Sequence, residues 1–151
     1  MPPDPAAEPS PVWRDVTGVI RVHHGGIIVR DAEAAAKTYT RLLGLEPVAL
    51  EEFHGTLHVA FLRAGDTLLE LIQPVRDDTP WAAVLRDRGE GAHHVALEVL
   101  DLRTAIASLG AAGIGVLERA PSRAPGNTMS VFLDPATTGG TLIELVQSIQ
   151  V

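Results

Sequence analysis

Residues 21–31 read RVHHGGIIVRD and residues 91–101 read GAHHVALEVLD. Each stretch opens on a His-His pair, and in each a valine stands five places, and an aspartate seven places, after the second histidine. Both are dense in Val, Ile, Leu and Ala and read as strands. The closing aspartate of each suits a helix N-cap, because its carboxylate can accept from helix N–H groups that have no intrahelical partner. After Asp31 comes AEAAAKTYTRLL, rich in strong helix formers and stopped by Gly44 and Pro47. After Asp101 comes a helix over 102–109, stopped by Gly110 and Gly113.

Working outward, the same order recurs on both sides. The first strand is read over 16–29, and after the first helix residues 56–63 (TLHVAFLR) and 67–73 (TLLELIQ) form a hairpin over the loop Ala64-Gly65-Asp66. In the second half, 114–118, 130–133 (SVFL) and 141–147 (TLIELVQ) are the strands. Thr79 and Pro80 fit the N-cap and first position of a short connecting helix over 81–88. The chain is thus an internal repeat of a unit roughly 55 residues long, strand–helix–strands. Two such units can share a single curved sheet about a pseudo-twofold axis, an α+β fold.

The totals fit one domain. The 151 residues are 46% hydrophobic, enough for a real core, and six aromatic residues leave that core to Leu, Val, Ile and Ala. The expected division is a proline-rich tail over 1–15 (five prolines in MPPDPAAEPSP) and a domain over 16–151, with modules at about 16–75 and 91–151. A net charge of −7 disfavours nucleic acid as the main partner. The absence of cysteine excludes disulfides and thiolate metal sites and suits a reducing cytoplasm. No apolar run reaches membrane-span length, and the N-terminus lacks the basic and apolar regions of a secretory signal.

Repeat alignment selects the chemistry. It places His24 on His94 and Glu70 on Glu144. Each glutamate sits mid-strand between apolar neighbours, where a carboxylate is costly without a partner, and neither strand carries a basic residue. Two imidazoles and two carboxylates, one pair per repeat, would converge on a single divalent cation; this nitrogen–oxygen set suits Zn, Ni, Co, Mn or Fe. His23 and His93 face the other way by strand parity and are not counted as ligands. Tyr39, Trp13 and Trp81 read as packing residues, and Arg123 and Asn127 as members of a solvated loop.

At these residues the sequence resembles the vicinal oxygen chelate (glyoxalase/bleomycin resistance/dioxygenase) superfamily, and within it the methylmalonyl-CoA epimerases. The likeness is carried by RLLGLEPV, LLELIQP, DDTPWAAVLRDRGEGAHHVALEV and GGTLIELVQ, and runs through 19–147. It implies paired βαβββ modules whose curved mixed sheet forms a metal-centred cleft, with His24, Glu70, His94 and Glu144 as ligands. It implies an acid–base role for Glu144 and a homodimer. The implied activity is divalent-metal-dependent epimerisation at the α-carbon of methylmalonyl-CoA or a related acyl thioester through a metal-stabilised enolate. Other chemistries of the superfamily are the alternatives: a glyoxalase I-like isomerase or lyase, a tailoring enzyme of specialised metabolism, or a non-enzymatic ligand-binding resistance protein.

Three departures from the family pattern surround this set. The place of a second base, counted from Gly55 in HGTLHVAF, falls on His58, which can shuttle protons near neutral pH. FLDPATTGG puts Asp134 and Ala136 where His and Lys are usual, and HHGGIIV puts Gly25 and Gly26 after the ligand. All three are expected near the cleft, where glycine lets another group approach.

Overall fold

The computed structural model describes residues 18–149. The expected tail over 1–15, Val16 at the head of the first strand, and Trp13 lie outside the described residues. Eight strands form one mixed sheet in the order β2-β3-β4-β1-β5-β8-β7-β6. The first module is β1 (Val19–Ile28), α1 (Ala32–Leu43), β2 (Glu46–Phe53), β3 (Leu57–Ala64) and β4 (Thr67–Pro74). A connecting helix, α2 (Pro80–Arg88), leads to the second: β5 (Gly91–Val99), α3 (Leu102–Ala111), β6 (Ser122–Ala124), β7 (Thr128–Phe132) and β8 (Ile143–Ser148). The order is symmetric about the central antiparallel pair β1–β5. On either side a parallel partner follows, β4 beside β1 and β8 beside β5. Among the described residues no helix is long and apolar enough to cross a membrane.

The repeated caps explain why the helices start where they do. Asp31 accepts from the Ala34 N–H and Asp101 from the Thr104 N–H. The repeated strand-end glutamine adds a second anchor. Gln73 Oε1 accepts from the Ala32 N–H at 3.0 Å and Gln147 Oε1 from the Leu102 N–H at 2.8 Å. Each glutamine thereby joins the last strand of its module to the first turn of that module's helix, satisfying a donor the helix leaves free. Gly44 ends α1 in the left-handed conformation, φ 69°.

Helices α1 and α3 lie on one face of the sheet. Ala60, Leu62 and Leu71 pack with Val29 and Ala32 beneath α1, and Val131, Leu133 and Leu145 with Val99, Leu102 and Ala105 beneath α3. The alternate residues of β3 and β4, namely Leu57, Val59, Phe61 and Ile72, cluster on the other face with Phe53, Leu68 and Trp81. That second face is the cleft.

Several elements differ from the sequence expectation. The first hairpin turns through two residues, since Ala64 pairs with Thr67 and Gly65 takes φ 63°, a position that favours glycine. Strand β2 escapes the hydrophobic pattern because most of it is exposed at the sheet edge. Residues 114–118 form one bridge, Val116 to Leu133, rather than a strand, and β6 occupies the segment read as a loop. Gly110 lies inside α3, which runs to Ala111 and is capped by Ala112.

Candidate metal centre and active-site cleft

His24 on β1, Glu70 on β4, His94 on β5 and Glu144 on β8 come together at the centre of the sheet. All four are 5% exposed or less. The parallel pairings β1–β4 and β5–β8 set each glutamate beside its own module's histidine strand, and the β1–β5 pair joins the two halves. His24 Nε2 lies 3.0 Å from His94 Nε2, 3.0 Å from Glu70 Oε2 and 3.6 Å from Glu144 Oε1, and His94 Nε2 lies 3.6 Å from Glu144 Oε2.

Three of these residues, His24, His94 and Glu144, offer donor atoms all within 4.8 Å of one another and form a possible metal site. Glu70 reaches them through His24 alone. Among the described residues its buried Oε2 has no hydrogen-bond partner, an orphaned acceptor of the kind a cation would satisfy. Ligands roughly 2.0–2.1 Å from one ion stand roughly 3.0–3.4 Å apart, close to the spacings found. The residues therefore fit the group that the sequence implies.

The histidines that precede the pair were expected to face away, and they do not. The β1–β5 register skips His23 on one strand and His93 on the other, so each sits in a bulge that re-aims its side chain. His23 Nδ1 comes within 2.8 Å of His24 Nδ1, and His93 Nδ1 within 2.9 Å of His94 Nδ1. If Nε2 of His24 and His94 is to be bare for a metal, the ring proton must sit on Nδ1, and it then donates to the preceding histidine. Trp81, read as a packing residue, holds His93 from the other side with ring centroids 4.9 Å apart.

Gly26 has a reason that its own strand does not reveal. A Cβ there would overlap the imidazole of His94, its partner in register across the β1–β5 pair. The glycine is the space in which the ring lies. Gly25 is ordinary by comparison: a Cβ would meet only Leu69 Cδ2 at 3.6 Å.

Above the donors lies a cavity of about 240 Å3 lined by Phe53, Leu57, Ile72, Trp81, Phe132, Ser122, Arg123, Ser130, Glu70, Glu118 and Glu144, among others. Arg123, read as part of a solvated loop, is in this wall. The turn between β6 and β7 reaches across to the other module, where the Gly126 N–H donates to Glu51 Oε2 at 3.2 Å. A larger groove of about 470 Å3 lies against α1, β2 and β3 and contains none of the histidines.

His58 is not in the cleft. In the register of β3 it stands opposite Glu52 and opposite Gln73, and Gln73 reaches α1 on the helix-covered face. Its Nε2 lies 3.5 Å from Glu52 Oε1, with the side chain 44% exposed. The parity grouping of His58 with Ala60 and Leu62 holds, but those residues pack under α1; Leu57, Val59 and Phe61 face the cleft instead. Asp134 and Ala136 also lie outside the cleft lining, and Asp134 caps a one-turn 3-10 helix by accepting from the Ala136 N–H. Glu118 lines the cleft but was read only as the end of a strand.

Burial sets the resting charges. It lowers His94 to about 3, with help from His24 and His93. Burial likewise lowers His23 and His93, each to about 4. Burial raises Glu144 well above the usual carboxylate range, and Glu70 and Glu118 push it the same way. These shifts set the pH response of the metal-free protein. An unfolded histidine takes up a proton near pH 6.5 while the three native ones stay neutral. Their stability contribution is therefore complete above pH 6.5 and is lost as pH falls toward 4, at about 1.4 kcal/mol per pH unit for each group. Glu144 runs the other way, costing stability as pH rises above 4.5. Three groups outweigh one, so the denaturant midpoint should fall between pH 7 and pH 4.5. A flat midpoint would mean that the histidines are not held neutral.

The Glyoxalase/Bleomycin resistance protein/Dioxygenase superfamily profile matches residues 23–132. The mitochondrial methylmalonyl-CoA epimerase of Bos taurus is 37% identical over 143 residues, covering 91% of this chain and 78% of the relative. The ethylmalonyl-CoA/methylmalonyl-CoA epimerase of Cereibacter sphaeroides is 35% identical over 131 residues, covering 84% and 97%. The crystal structure of methylmalonyl-CoA epimerase from Mycobacterium tuberculosis superposes with a TM-score of 0.83 at 28% identity, covering 89% of this chain and 91% of that one.

Proposed function

The chain belongs to the glyoxalase/bleomycin resistance/dioxygenase superfamily, among the methylmalonyl-CoA epimerases, and we propose that it inverts the α-carbon of methylmalonyl-CoA or a closely related 2-substituted malonyl thioester. The observation that carries this reading is the convergence of two histidines and two glutamates, one pair from each module, on one buried point beneath the cleft. His24, His94, Glu144 and Glu70 would hold one divalent ion. When bound, that ion supplies Lewis-acid charge that makes the α-hydrogen of a chelating thioester more acidic.

The chain's own residues do the rest. Phe53, Leu57, Ile72, Trp81 and Phe132 give the cleft apolar walls that exclude water and strengthen every charge interaction inside it. Arg123 is the one basic side chain in the lining and suits the substrate's free carboxylate. Glu144 lines the cleft floor, where its carboxyl is placed to exchange a proton with the substrate. The homodimer implied by the family resemblance and the reducing cytoplasmic setting suggested by the cysteine-free sequence go with this proposal.

The expected result is deuterium uptake at the α-carbon of methylmalonyl-CoA in D2O, abolished by chelator and restored by a divalent ion. A fully metal-loaded protein that exchanges no acyl thioester would overturn the assignment.

A further inference from the structure

Inversion needs two proton carriers, one on each face of the reacting carbon. Glu144 is one. The second does not come from β3, because its cleft-facing residues Leu57, Val59 and Phe61 cannot carry a proton and His58 lies on the opposite face. Glu51 shares the inner face through its register with Val59, but it accepts from the Gly126 N–H and is not in the cleft lining. Among the lining residues the titratable side chains are Glu70, Glu118, Arg123 and Glu144. Glu70 is bound to the donor cluster and arginine stays protonated.

We infer that Glu118 is the second proton-transfer group of this cleft, a role that rests on the epimerase reading above. The local structure supports it. After the Val116–Leu133 bridge, the Leu117 N–H donates to the Phe132 carbonyl at 2.9 Å, fixing the backbone beside β7. Glu118 Oε2 accepts from the Phe132 N–H at 2.8 Å. Phe132 pairs on its other side with Glu144. Glu118 and Glu144 therefore flank β7, two strand spacings or roughly 10 Å apart at the backbone, and both line the same cavity.

In one direction the ionised Glu118 takes the α-hydrogen. The C–H bond breaks, its electron pair moves into the thioester carbonyl as an enolate, and an O–H bond forms on Glu118. Glu144 then gives its proton to the other face of the α-carbon and is left ionised. The reverse passage restores both groups, as does proton exchange with water.

The test is Glu118→Gln, whose amide oxygen can still accept from the Phe132 N–H. Each pure epimer of methylmalonyl-CoA is incubated in D2O with metal-loaded variant. Interconversion is expected to fall at least about 100-fold. One epimer should still gain α-deuterium with retained configuration, through Glu144 alone, while the other gains none, and bound metal should match wild type. Interconversion within about threefold of wild type would overturn the role. So would equal loss of exchange from both epimers, the mark of a merely structural residue. No exchange by the wild-type protein would instead sink the epimerase reading, and this role with it.

Discussion

Alanine at Gly26 is expected to weaken divalent-metal binding by about 100-fold or more, the upper end of what disturbing the surroundings of a ligand costs. The backbone at Gly26 is ordinary extended strand, outside the left-handed region, so β1 can accept alanine there. The conflict is with the opposite strand, because the new methyl would occupy the volume of the His94 ring. That ring cannot retreat without breaking its contact with His93 and leaving the position that brings its Nε2 to Glu144. The equivalent residue in the second module is Ala96, opposite His24, so the two halves differ here and symmetry alone would not give the result. Titration calorimetry with Co2+ or Zn2+ reads the effect. Gly25→Ala is the internal control and should bind metal as wild type does, since its methyl meets only ordinary contact. Equal affinity in the Gly26 and Gly25 variants would show that His94 does not lie over Gly26.

Much of this site could be read before any coordinates, because duplication prints its own alignment. The His-His pair, the capping aspartate and the mid-strand glutamate recur in the same order, and a carboxylate between apolar neighbours is conspicuous on either strand. What could not be read depends on events between strands. Parity correctly groups His58 with Ala60 and Leu62, yet which group faces the cleft is decided by where α1 packs. Bulges broke parity at His23 and His93, and no residue type announces a bulge there. Gly26 looked permissive in its own strand, while its cause lies on β5. Glu118 follows a single bridge in an irregular segment, where no periodicity points to a face. Gln73 and Gln147 did recur in the sequence, and their equivalence was the available signal for the strand-to-helix bonds they make.

The charge at Glu144 is expected to serve the reaction at the expense of the metal-free fold. Its carboxyl is buried, beside Glu70 and near Glu118, and is held toward the neutral form by burial and then by those two charges. Glu144→Gln keeps the shape and removes the ionisable group. At saturating metal, interconversion of the epimers should still fall by roughly 1,000-fold, within the range for loss of a general acid or base, because the amide cannot carry the proton. Glu70→Gln should behave differently: it loses a candidate ligand charge but leaves the proton carrier, so raising the metal concentration should recover much of its rate. Without metal, the Glu144→Gln protein should be at least as stable as wild type near pH 7, and by up to about 1 kcal/mol more so, since a buried acid in an acidic cluster is replaced by a neutral group. Denaturant midpoints and epimerisation rates on the same three proteins check both signs. A Glu144→Gln variant that binds metal fully and still turns over above about 1% of the wild-type rate, far outside the expected loss, would leave Glu144 a ligand only and move the proton to another group in the cleft.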